Sequence, residues 1–150
     1  MTSYVPQAEA NTWFQERDHA DWAELPEKSR AAYLLKASEW IDRYFQFRGR
    51  KQDALQVRSW PRIDAYADDG TALTGIPPEL REAVLVLAPV FAEGDEAAEA
   101  MLGLGRRIKQ QKIGGVEVVF DAPSAGEVSR MSRLLQPLLV ARHHHRIRRG

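Results

Sequence analysis

Ten consecutive residues, Ala83 to Ala92, carry no polar side chain. Pro77-Pro78 stand just ahead as a helix start, and at helical spacing Leu80, Val84, Leu87 and Phe91 share one face. Ala83, Val86 and Val90 fill most of the remaining circumference. A helix that is apolar nearly all round must be wrapped by other elements, so it is the centre of a bundle. The run falls well short of the roughly 20 residues that a membrane-crossing helix needs, so it reads as core and no membrane contact is expected. Pro89 lacks the N–H that a helix interior uses and should kink this helix or mark its weak point.

The rest of the chain supplies the wrapping. A short amphipathic helix is expected from Pro6 to about His19, with Ala10, Trp13 and Phe14 on one side. A longer one is expected from Pro26 to near Phe45, where Leu34, Ala37, Ile41 and Phe45 form one stripe and Tyr33, Trp40 and Tyr44 an adjoining one. That face is wider than one neighbouring helix covers, so the following loop or another subunit must cover the surplus. A linker from Gly94 to Gly105 surrounds a short helical piece, Glu96 to Leu102. The segments Arg107 to Ile113 and Val116 to Phe120 then flank Gly114-Gly115, the signal of a two-residue hairpin. A last helix, about Ala125 to Val140, repeats Val128, Met131, Leu135 and Leu138 on one face. The expected fold class is mainly α: a small helical bundle with one short β-hairpin at about 107–120, a C-terminal helix and an extended basic tail. Residues 1–141 form the domain and 142–150 the tail.

The 150-residue chain contains 21 basic and 21 acidic residues, which disfavours both a strongly basic nucleic-acid wrapper and an acidic mimic of nucleic acid. Residues 1–100, however, carry 11 Lys/Arg against 18 Asp/Glu, and residues 101–150 carry 10 against 3. Halves of −7 and +7 point to charge-guided docking, subunit to subunit or tail to partner. With no cysteine, disulfides, thiolate zinc sites and cysteine nucleophiles are excluded together. Gln7, Glu9 and Asn11 stand where an export signal would be apolar, so a cytosolic location is expected.

No catalytic constellation is visible: the chain has no nucleophile elbow, no phosphate-cradling glycine loop and no helical His-x-x-x-His, so an enzyme is not expected. His143-His144-His145 point in different directions and lack a fixed fourth ligand, and Glu93, Asp95, Glu96 and Glu99 lack the spacing of a calcium loop. Neither metal nor cofactor is expected. Helical periodicity disappears from Phe47 to Ile76, and an irregular stretch that long is usually functional or covers another surface. Within it, Arg48, Arg50 and Lys51 lie beside Phe45 and Phe47, the cation-plus-ring combination that holds single-stranded nucleic acid. The other reading is that the rings complete the core while the charges face water. Further on, Gln56 and Trp60-Pro61-Arg62 set a large apolar plate before a planar fork of donors. Such an anchored Trp implies a pocket on the same chain or on the next subunit.

The order of these features resembles the phage head-tail connector, or head-completion adaptor, family, whose members are also grouped as DnaT-like single-stranded-DNA-binding proteins. The matching residues are Ala10, Trp13-Phe14, Trp22, Lys36-Ala37-Ser38, Ile41-Asp42, Phe47 and Gly49-Arg50-Lys51. Gln56, Trp60-Pro61-Arg62, Ile76-Pro77 and Glu82-Ala83 extend the match to roughly residues 4–93. Lys112-Ile113-Gly114 before Val116 to Phe120, and Leu134 to Leu139, resemble the family's strand pair and last helix. Arg58 departs from the family's apolar tendency at that position, and Ser38 from its threonine.

The resemblance implies a structural adaptor in the virion neck, assembled in the host cytoplasm as a ring of about twelve copies that links capsid to tail. Its implied partners are itself, the portal protein, a tail or stopper protein, and DNA passing through the channel without sequence-specific contact. Arg142, Arg146, Ile147, Arg148 and Arg149 of the tail would engage the portal. Gln56, Trp60, Pro61 and Arg62 would anchor the loop or line a subunit interface, and Arg48, Arg50 and Lys51 would be the nucleic-acid contact. A single-stranded nucleic-acid-binding module is the alternative function.

Overall fold

The computed structural model describes residues 2–100 and 123–140, the side chains of the second stretch from 129 onward. Its elements are α1 (Gln7–Glu16), α2 (Ala20–Glu24), α3 (Glu27–Tyr44), β1 (Arg50–Lys51), β2 (Arg62–Ile63), α4 (Pro78–Leu87), α5 (described over 95–100) and α6 (Pro123–Leu135). The described residues are thus mainly helical with one small antiparallel strand pair, in which Arg50 lies opposite Ile63 and Lys51 opposite Arg62. Among the described residues no helix is long and apolar enough to cross a membrane.

Proline sets the start of three helices. Pro6, Pro26 and Pro77 occupy the N-cap positions of α1, α3 and α4 in extended conformation, and their carbonyls accept the first helical bonds, from the N–H groups of Ala10, Arg30 and Arg81. A proline there fixes φ and has no N–H to leave unsatisfied. Pro6 therefore stands one residue outside the helix it was expected to open.

The helix expected to reach His19 stops at Glu16, because Asp18 adopts φ 56°, outside the right-handed helical region. This break lets α2 fold back, stacking Trp22 on Phe14 with ring centroids 4.4 Å apart. The Trp22 indole N–H donates to Asn11 Oδ1 at 3.0 Å, so the ring is buried without losing its polar bond.

α4 is central, as its pattern requires: Leu80 and Ala83 through Leu87 are all buried. It packs against α6, which contributes Met131 and Leu135, and against α3, which contributes Leu34, Ala37 and Ile41. Each fully buried Leu, Ile or Val contributes about 1.5–3 kcal/mol. Regular helix ends at Leu87, and Ala88–Glu93 continues as a 3-10 turn at Pro89, the weak point expected there. α6 likewise gives way at Leu135 to a 3-10 turn, Gln136–Leu138, around Pro137, earlier than the expected end at Val140.

The second stripe of α3 is covered in part. Trp40 is buried against Tyr44 and Phe45, whereas Tyr44 itself lies at the surface. The hairpin expected at 107–120 and the tail at 142–150 lie outside the described residues. The observed strand pair falls instead within the stretch whose lost periodicity predicted only loop.

Candidate binding surface on residues 47–73

This segment is stitched to both ends of the bundle. Phe47 forms an isolated bridge with Leu139, the Arg48 N–H donates to the Leu138 carbonyl, and the Val140 N–H donates to the Gln46 carbonyl. The Arg48 guanidinium crosses the same seam: Nε donates to the Leu139 carbonyl at 2.8 Å, one Nη donates to the Tyr66 carbonyl at 2.8 Å, and the other pairs with Asp68 at 2.9 Å.

A second set of bonds fixes the strand pair to α3. Tyr4 O–H donates to Asp42 Oδ1 at 2.5 Å and accepts the Trp60 N–H at 3.2 Å. Asp42 Oδ2 accepts from Arg58 at 3.1 Å and from the Ser59 N–H at 3.2 Å. Burial, reinforced by the hydrogen bond to Asp42 and its charge, pushes proton loss from Tyr4 far above the ordinary phenol range. Ser38 secures the same corner: its hydroxyl accepts the Tyr4 N–H at 3.1 Å and donates to the Leu34 carbonyl at 2.9 Å. Trp60, 1% exposed, packs edge-on against Phe47 with centroids 5.6 Å apart. The pocket implied for this Trp is therefore on its own chain. The Trp60-Pro61 bond is cis.

Arg62 spends its fork internally. Nε donates to the Arg48 carbonyl at 2.6 Å, and the two Nη atoms donate to the Ser59 carbonyl at 3.0 Å and the Gly49 carbonyl at 2.9 Å. Burial draws its pKa down, with Tyr4 and Asp42 opposing that shift. Gly49 has φ 74°, and a side chain there would collide with the Ile63 carbonyl and approach Ala65 to 2.9 Å. Gln56 braces the outer loop: its Nε2 donates to the Arg58 and Pro61 carbonyls, both at 2.9 Å, and its Oε1 accepts the Asp53 N–H at 3.0 Å.

What faces outward is what these bonds leave over. Arg50 pairs with Asp64, and Lys51 Nζ donates to the Gln56 carbonyl at 3.3 Å, yet both cations remain exposed. Tyr66, 51% exposed, lies on the turn that the Arg48 guanidinium holds by its carbonyl. Leu55 and Val57 project at 89% and 62% exposure. Arg48, Arg58 and Arg62 are turned inward, so Arg50 and Lys51 share this surface with exposed Asp53, Asp64, Asp68 and Asp69.

The candidate nucleic-acid residues Arg48, Arg50 and Lys51 are thus brought together, though Arg48 is committed to backbone carbonyls and Asp68. Gln56, Trp60 and Arg62 act as internal braces of one loop. Arg142, Arg146, Ile147, Arg148 and Arg149 lie outside the described residues. Tyr4, Asp42 and Ser59 were missed as members of the site, since nothing local in the sequence joins residue 4 to residue 60. Among the described residues no group of three His, Asp or Glu side chains is arranged to hold a metal ion, and Asp95 of the acidic cluster pairs with Lys36 at 2.5 Å.

No curated protein and no solved structure matches this chain. A model of the family described as "Putative DnaT-like ssDNA binding protein" matches residues 1–150. That match runs through every element above, and the chain belongs to this DnaT-like family.

Proposed function

We propose that this chain is a non-catalytic binding module whose ligand is single-stranded DNA, held weakly and by charge. The observation that carries the reading is the full-length family match, whose description names single-stranded DNA. The placement of exposed Arg50 and Lys51 on the segment that also presents the exposed ring of Tyr66 supports it locally. Cations track phosphates, and a ring offers a base a stacking face. Nearby Asp53, Asp64, Asp68 and Asp69 oppose phosphate, which keeps the affinity in the micromolar range usual for sequence-independent contact, about 10⁻⁴–10⁻⁶ M.

A second reading is the structural adaptor that joins capsid to tail in a tailed phage or phage-like particle. One observation favours it: three of the five cations between residues 47 and 76 are consumed inside the fold, so the surface they leave has no positive excess. A surface of mixed charge suits a protein partner better than a phosphate chain.

Titration of the full chain with a fluorescent oligothymidylate at low and near-physiological salt separates the two. Micromolar binding that weakens steeply with salt supports the first reading. Absent DNA binding, together with rings on the portal protein in electron micrographs, supports the second.

A further inference from the structure

Where α1 turns back into α2, a pocket of about 400 Å³ opens between them and Arg30 of α3. That volume lies within the range of small-ligand sites, about 300–1,000 Å³. Asp18, at φ 56°, reverses the chain there, and the Asp18 and His19 N–H groups donate to the Gln15 and Phe14 carbonyls at 3.1 and 2.9 Å. Phe14 stacks on Trp22 and meets the His19 ring edge-on at 5.2 Å, so the lining includes three rings in mutual contact.

Two charges of opposite sign line the same pocket, and neither is matched. Arg30 is half-buried; one Nη donates to Asn11 Oδ1 at 3.1 Å, an oxygen that already accepts the Trp22 indole N–H, and Nε is buried without a partner. Its one side-chain bond among the described residues therefore goes to a neutral amide, although a guanidinium drawn partly out of water favours a bidentate acceptor. The Asp18 carboxylate is exposed and accepts no bond among the described residues. Unused donors on a planar fork, a free pair of carboxylate oxygens and a set of rings thus share one cavity.

We propose that this pocket receives one guanine base of a bound single strand, with Arg30 and Asp18 as the residues that read it. Guanine presents O6 and N7 as adjacent acceptors, which a guanidinium fork meets bidentately, and N1–H and N2–H as adjacent donors, which a carboxylate meets in the same way. Cytosine, adenine and thymine each lack at least one of these two pairs. The flat faces of an unstacked base suit a ring-lined wall. The proposal rests on the single-stranded-DNA reading and adds a base preference to it, since Arg50 and Lys51 would meet phosphates, which are the same in every sequence.

The test is fluorescence anisotropy of the full chain with a labelled twelve-residue oligothymidylate and with the same oligomer carrying one central guanine, adenine or cytosine. Wild type should bind the guanine oligomer at least about five-fold more tightly than each of the others. Two variants, R30K and D18N, locate the preference. Lysine keeps the charge without the fork, and asparagine accepts the positive φ of position 18 while losing the carboxylate; circular dichroism checks that both fold. In each, the ratio of guanine to thymine affinity should fall to about one. A wild type that binds all four oligomers equally, or a ratio unchanged in both variants, overturns the pocket and leaves the single-stranded-DNA reading standing. Binding to none of the oligomers overturns that reading and the pocket with it.

Discussion

At the scale of single residues, the corner where Tyr4, Ser38, Asp42 and Trp60 meet decides whether the long segment is ordered. Tyr4 keeps its proton in the folded chain well beyond the ordinary phenol pKa of about 10. Above that pH the unfolded chain gives up the proton and the folded chain retains it, so stability must fall as pH rises. Below pH about 10 the contribution is fully present. Chemical denaturation of wild type and Tyr4→Phe across pH 8 to 11 checks this: wild type should lose stability above pH about 10 by a component that the variant lacks. Gly49 makes a second sharp point. A β-carbon there meets the Ile63 carbonyl and Ala65 at a positive φ. Gly49→Ala should therefore cost at least about 2 kcal/mol in urea unfolding, and a change below about 0.5 kcal/mol would show that β1 and β2 can separate freely. Neither role was legible in sequence. The contact between residues 4 and 60 is long-range, and glycine at 49 reads equally well as a loop breaker.

Among the elements, those with a strong period were legible and those without one were not. The apolar run placed α4 in the core, and Pro89 marked where its regular helix ends, because both follow from local geometry. The break at Asp18 was missed because Ala10, Trp13 and Phe14 continue a helical pattern up to it, and the return of α2 depends on Trp22 finding Phe14. The β1–β2 pair was missed for a related reason. Two residues per strand give no period, and the pair is held by Arg62 bridging three backbone carbonyls, not by an alternating apolar face. Lysine has no planar fork to span those carbonyls, so Arg62→Lys should destabilise the chain by about 2–3 kcal/mol. Arg50→Gln, which loses only an exposed pair with Asp64, should change stability by no more than about 0.5 kcal/mol. Thermal and urea unfolding of the two variants side by side would test the contrast, and equal costs would refute the division into inner brace and outer contact.

For the whole molecule, the fold spends most of the positive charge of the 47–76 segment on holding itself together. Arg48 joins the segment to the end of α6, Arg58 joins it to α3, and Arg62 closes its strands. The sequence displayed a basic, ring-bearing stretch, but only the folded chain separates cations that brace from cations that face solvent. The proposal that rests on family membership and the two outward cations is that single-stranded DNA is held through Arg50 and Lys51. Its most direct measurement is the salt dependence of oligothymidylate binding by wild type and by the double variant Arg50→Gln/Lys51→Gln. Each lost phosphate contact lowers the slope of log K against log salt by about 0.7 on a single strand, so the double variant should bind more weakly with a slope shallower by about 1.4. An unchanged affinity and slope would contradict the claim.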